Sequence, residues 1–121
     1  MFDVQFNEKG EAVLFEDNIE VLNLETIRDK DGHIRYNFPD GRHIEIWANN
    51  TIVWCDSAGE IHRDGDMPAF IRIDGYMAYC NHGNTHRING PARIWRDGTV
   101  EYWIDGEYYT NEDYEMAKRN A

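Results

Sequence analysis

Residues 83–106 read Gly-Asn-Thr-His-Arg-Ile-Asn-Gly-Pro-Ala-Arg-Ile-Trp-Arg-Asp-Gly-Thr-Val-Glu-Tyr-Trp-Ile-Asp-Gly, and weaker copies of this stretch account for most of the 121-residue chain. Self-similarity at a near-fixed period constrains a chain strongly. Each unit must be one supersecondary element that buries its apolar face by stacking on its neighbours. Here the runs 91–96 and 99–104 are rich in β-branched and aromatic residues and flank Asp97-Gly98. They predict a β-hairpin closed by a two-residue type I′ turn, with positive φ at both Asp and Gly. The same grammar surrounds Asp74-Gly75, and fainter copies surround Asn49-Asn50 and Asp17-Asn18. Asn tolerates the left-handed conformation better than other non-glycine residues, so those turns are chemically consistent. The repeats fall at residues 10–24, 41–58, 65–82 and 90–105.

The expected fold is therefore mainly β: a single domain over residues 1–121, an antiparallel meander of four repeated hairpins with a short C-terminal helix. An opening strand is expected at residues 2–6, with a turn at 7–10 leading into the first hairpin. Residues 25–32 are charged, break the repeat and read as a loop, with a further turn at 39–41. Aligning the leading strands separates two faces by their period of two. One collects Ala12, Leu14, Ile44, Ile46, Ala69, Ile71, Ala92 and Ile94, all apolar, and is the expected core. A charge at Ile46, Ile71 or Ile94 is expected to prevent folding. The other collects Val13, Phe15, Glu45, Trp47, Phe70, Arg72, Arg93 and Trp95, aromatics among charges. After Gly106 the grammar decays into a helix expected at 111–119, capped by Thr110, with Glu112 and Asp113 in its first turn and Lys118 and Arg119 near its end. That polarity suits the helix macrodipole, and a terminal helix can close a repeat stack.

Around His86-Arg87, Gly90-Pro91-Ala92, Asp97-Gly98 and Tyr102-Trp103 the chain resembles a loose group of repeats in uncharacterised bacterial, phage and giant-virus proteins, similar to variant MORN repeats. The resemblance covers residues 59–106 well and the remainder weakly. It implies β-hairpin repeats, a structural or interaction role, a phage or bacterial setting, and no catalytic residue.

Composition limits the partners. The net charge is −11, with 13 acids against five Lys or Arg in residues 1–60 and ten against seven in 61–121. Such a balance argues against direct binding of nucleic acid or an anionic membrane. No basic leader, long apolar run or lipidation motif appears, so the expected location is cytoplasmic, or the host cytoplasm if phage-encoded. Cys55 and Cys80 hold equivalent places in successive hairpins, two strands or about 9.6 Å apart, beyond reach of a disulfide.

Chemistry is sparse. His33, His43, His62, His82 and His86 show no metal-ligand spacing, and the repeated His62-Arg63 and His86-Arg87 read as a structural junction between repeats. Ser57 is the single serine, no nucleophile elbow is present, and paired acids such as Asp64 and Asp66 fall where turns want Asp. No catalytic, cofactor or metal residue is assigned, and the protein is expected not to be an enzyme. The leading expectation is a non-catalytic acidic inhibitor or adaptor that engages a protein with a basic, nucleic-acid-handling surface. Its contact residues would be Phe15, Glu16, Glu20, Glu45, Trp47, Arg72, Arg93 and Trp95, with the tryptophans as anchors. The alternatives are a glycan-binding aromatic face or a structural, self-assembling protein.

Overall fold

The computed structural model describes residues 1–120. In chain order the strands are β1 (Phe2–Phe6), β2 (Ala12–Glu16), β3 (Ile19–Glu20), β4 (Glu25–Arg28), β5 (Ile34–Asn37), β6 (His43–Ile46) and β7 (Ile52–Cys55). They continue as β8 (Phe70–Ile71), β9 (Met77–Ala78), β10 (Cys80–Asn81), β11 (Asn84–Thr85), β12 (Arg93–Ile94), β13 (Val100–Ile104) and β14 (Glu107–Tyr109). Helix α1 (Asn111–Ala117) and a 3₁₀ turn (Lys118–Asn120) follow.

All pairing is antiparallel. β1–β2–β3 form one sheet, β10 and β11 a small hairpin, and the other nine strands a long meander in the order β14-β13-β12-β9-β8-β7-β6-β5-β4. The mainly β, hairpin-repeat architecture expected from the repeats is the one observed. Val4, Ala12 and Leu14 of the first sheet share a buried core with Tyr36, Ile44, Ile46, Ile52, Trp54 and Ala69 of the long sheet. The two sheets therefore pack face to face, and their other faces point outward in opposite directions.

Three sequence expectations need correction. Residues 25–32 are not a loop: β4 pairs with β5 from Glu25–Asn37 to Arg28–Ile34, adding a hairpin outside the repeat alignment. All four β4 residues are exposed, so this edge strand carries no alternation that a period-of-two reading could find. The Asp-Gly turns are also different. At Asp97-Gly98 only Gly98 has positive φ, Gly98 N–H donates to Trp95 O at 3.0 Å, and Trp95 N–H donates to Thr99 O at 2.9 Å. That is a three-residue loop, a type I turn followed by a left-handed residue. The same bonds close 72–76 and 47–51, with Asn50 at φ 66° standing where the later copies have Gly. The two-residue form with two positive φ values occurs at Asp17-Asn18, His82-Gly83 and Asp105-Gly106. Third, Ile44 and Ile46 are 1% exposed, whereas Ile71 and Ile94 are only half-buried, because the first sheet covers one end of the long sheet.

The recurring His-Arg pairs are junction pieces. Arg63 stacks its guanidinium over Trp54 at 3.9 Å and donates to Pro68 O at 3.2 Å; Arg87 stacks over Tyr79 at 3.9 Å and donates to Pro91 O at 3.2 Å. His62 Nδ1 accepts the His82 N–H at 3.1 Å, and His86 Nδ1 accepts the Asp105 N–H at 3.0 Å, so each imidazole holds the next unit's two-residue turn. The third aromatic in this series, Tyr102, has no following arginine. Tyr114 of α1 packs on it at 4.6 Å and places its hydroxyl among the carbonyls of Arg87, Ile88 and Gly90, accepting the Gly90 N–H at 3.1 Å. The capping helix thus supplies by tyrosine what the repeats supply by arginine. Thr110 caps α1 by accepting the Asp113 N–H at 3.2 Å.

Candidate functional site

The eight residues singled out from sequence divide between the two outward faces. Phe15 and Glu20 are cross-strand partners on the first sheet, with Asp3 opposite Phe15 on the other side. They alternate with buried Leu14 and so face away from the core, and exposed Glu16 sits at the strand end beside Ile19. Every acid of residues 1–24, namely Asp3, Glu8, Glu11, Glu16, Asp17 and Glu20, is exposed, against a single basic residue, Lys9. Ile19 and Leu22 stand among them, 73% and 82% exposed.

Glu45, Trp47, Arg72, Arg93 and Trp95 lie together on the outer face of the long sheet. Registers Glu45–Val53, Val53–Phe70, Phe70–Ala78, Ala78–Arg93 and Arg93–Glu101 run across it in one row. Above that row the rings form a chain: Trp47 meets Phe70 at 5.7 Å, Phe70 meets Tyr76 at 6.0 Å, and Tyr76 meets Trp95 at 5.1 Å. Interplanar angles of 79°, 71° and 52° mean that each ring leans on the next, so the stripe offers ring edges and gaps rather than one flat platform. Arg72 stacks over Tyr76 at 4.6 Å and Arg93 over Trp103 at 4.6 Å.

Tyr76 and Trp103 were not among the sequence candidates, since the faces were aligned on leading strands alone. The three-residue loop carries the missing signal. It sets Arg72 directly opposite Tyr76, so a return-strand residue four places on shares its partner's face.

One cluster of chemical groups forms without any sequence motif. His43, Glu45 and Cys55 bring an imidazole nitrogen, a carboxylate oxygen and a thiol within 4.8 Å of one another. Its order is fixed by Arg35, whose guanidinium lies 3.2 Å from His43 Nδ1. Because a guanidinium only donates, Nδ1 accepts, and Nε2 carries the hydrogen toward Glu45 at 3.0 Å. The Cys55 thiol also donates to Glu45, at 3.8 Å. A cation on Nε2 would force the imidazole hydrogen onto Nδ1, against the guanidinium, so these residues fit a hydrogen-bond chain better than a metal centre. Burial and the nearby Glu45 push the Cys55 thiol up to about 12, which keeps it protonated and a poor nucleophile at neutral pH. Burial likewise raises Cys80, and both cysteines are free thiols.

No protein-family model matches this chain, and searches of curated proteins and of solved structures give no match either. Among the described residues, no helix is long and apolar enough to cross a membrane. What fold and surface define is a two-sheet β-hairpin repeat protein with two chemically distinct outward faces.

Proposed function

We propose that this chain is a non-catalytic binding protein, an adaptor or inhibitor, whose first sheet engages a basic, nucleic-acid-handling surface of a protein partner in the cytoplasm. The observation that carries this reading is the set of six exposed carboxylates within residues 1–24, accompanied by the exposed side chains of Ile19 and Leu22 and the half-buried ring of Phe15. Carboxylates steer and orient a cationic partner, while desolvated apolar side chains supply most of the affinity. The face is preformed: β1 and β2 pair over five residues, and their inner side is fixed by the shared core. Association that depends on these charges weakens steeply with salt.

The test is capture from nuclease-treated bacterial lysate on immobilised protein, washed over a salt series, with wild type beside a Glu16→Lys, Glu20→Lys double variant. A stoichiometric, basic partner retained by wild type at low salt, released by salt and missing from the double variant is the expected result. Equal retention by both proteins would remove the first sheet from the reading.

A further inference from the structure

The outer face of the last two repeats carries a cavity of about 430 Å³ in which Arg72 and Arg93 are the only charged lining residues, in a protein of net charge −11. Its walls include Phe70, Tyr76 and Trp95, Ala78 and Cys80 line it, and the β10–β11 hairpin closes the far side through Gly83 and Thr85.

Arg93 is held loosely. Its Nη1 stands 3.7 Å from Glu101, its Nη2 reaches Thr85 Oγ1 only at 3.5 Å, and its Nε is buried with no hydrogen-bond partner. The fork formed by Nη1 and Nη2 can grip a carboxylate with two parallel bonds, and here its nearest acceptors stand at 3.5 and 3.7 Å. Arg72, at the same cavity, is committed to Asp74 at 2.9 Å and adds positive potential above Tyr76.

We infer that this cavity is a second binding site, independent of the acidic face, and that its occupant is an acidic segment of a protein partner that places a carboxylate on the Nη1–Nη2 fork of Arg93 and an apolar side chain between Phe70, Tyr76 and Trp95. Charge selects an acidic occupant over a basic one, and the leaning rings select a side chain that enters between them. With a basic partner on the first sheet and an acidic segment here, the protein bridges two surfaces of opposite charge.

Three fluorescein-labelled decapeptides, alternating Leu with Glu, Gln or Lys, test it by fluorescence anisotropy on the full chain. The Glu peptide binds and the Lys peptide does not, and Arg93→Gln weakens the Glu peptide about tenfold or more, as loss of a charge-assisted bidentate pair requires. Arg93→Lys fails to rescue, while Glu16→Lys, Glu20→Lys leaves this binding intact, which separates the site from the first sheet. Equal binding of all three peptides, or none up to about 1 mM, overturns the proposal. So does tighter binding of a labelled oligothymidylate, which would make the face a nucleic-acid platform. Should Arg93→Gln prove unstable, indole N–H signals of the wild-type protein decide. Added Glu peptide shifts Trp95 and Trp103 and leaves Trp54 still; a shift at Trp54 alone overturns it.

Discussion

The two outward faces rest on one core and differ in how they are made. The first sheet presents six carboxylates and one lysine over 24 residues, on strands outside the well-matched repeats. The last two repeats line their outer cavity with Arg72 and Arg93 and no acid, with guanidiniums and rings packed on one another. A net charge of −11 therefore describes neither face. The repeat grammar also fixes where the arginines go: Arg63 and Arg87 are consumed as lids over Trp54 and Tyr79, whereas Arg72 and Arg93 line the outer cavity. The lesson is that the same residue type serves folding or recognition according to its place in the repeat.

That comparison breaks most visibly if the core under the two faces fails. Ile46→Asp puts a charge at a position 1% exposed, between both sheets, and is expected to leave no folded protein by circular dichroism. Ile94→Asp, half-buried beyond the reach of the first sheet, is expected to fold with reduced stability. Equal loss in the two would mean that the last repeats bury their inner face as fully as the first. Next in size is Leu14→Ala, which removes the side chain that seats the acidic sheet on the long one. It is expected to cost about 2–5 kcal/mol in urea denaturation. A loss near zero would make the acidic sheet a loose appendage and weaken the case for a preformed face.

A smaller effect sharpens the other side. Tyr114→Phe keeps the ring on Tyr102 but removes the hydroxyl that meets the carbonyls of Arg87, Ile88 and Gly90. It is expected to cost about 1–3 kcal/mol, the price of buried backbone groups left unpaired. Hydrogen exchange should then rise first around β12–β13, with the first sheet unaffected. Uniform loosening of both sheets would show that the cap acts globally.

Much of this was legible in the sequence. The hairpins around Asn49-Asn50, Asp74-Gly75 and Asp97-Gly98, the buried Leu14, Ile44 and Ile46, and the helix capped by Thr110 all follow from periodicity and turn chemistry. Trp47, Arg72, Arg93 and Trp95 were placed on one face by alternation, and the structure brings them together with Glu45. Phe15, Glu16 and Glu20 left that group because alternation assigns a side within a strand and cannot say which sheet the strand joins. β4 was hidden because an edge strand exposed on both sides has no apolar face to reveal it. The His43–Glu45–Cys55 chain joins residues from two strands, and only the register His43–Cys55 puts them together.

The smallest effect concerns the turns that carry the repeats. In the three-residue loops at 72–76 and 95–99 the central Asp accepts the backbone N–H two residues on, at 3.0 Å for Asp74 to Tyr76 and 2.9 Å for Asp97 to Thr99. These N–H groups, aided at Asp74 by Arg72, hold both carboxyls below the ordinary Asp range. At Asp56 the His82 imidazole is the largest cause, followed by the Glu60 N–H. A lowered folded-state value means that the unfolded chain binds more protons as the pH falls through the unfolded Asp value of about 3.9. The stability these carboxylates contribute is therefore complete above that value and is lost below it, down to the folded-state values. Asn49 shows that an amide oxygen serves the same turn, accepting the Thr51 N–H at 3.1 Å. Asp74→Asn is accordingly expected to leave Tm almost unmoved at neutral pH and to make its fall between pH 5 and pH 2 shallower. The paired Asp17→Asn change on the first sheet serves as the comparison, since Asp17 sits in a two-residue turn with φ 49° and makes no such bond two residues on. An equally large change in the acid limb from both substitutions would place the pH response in overall charge rather than in the repeat turns.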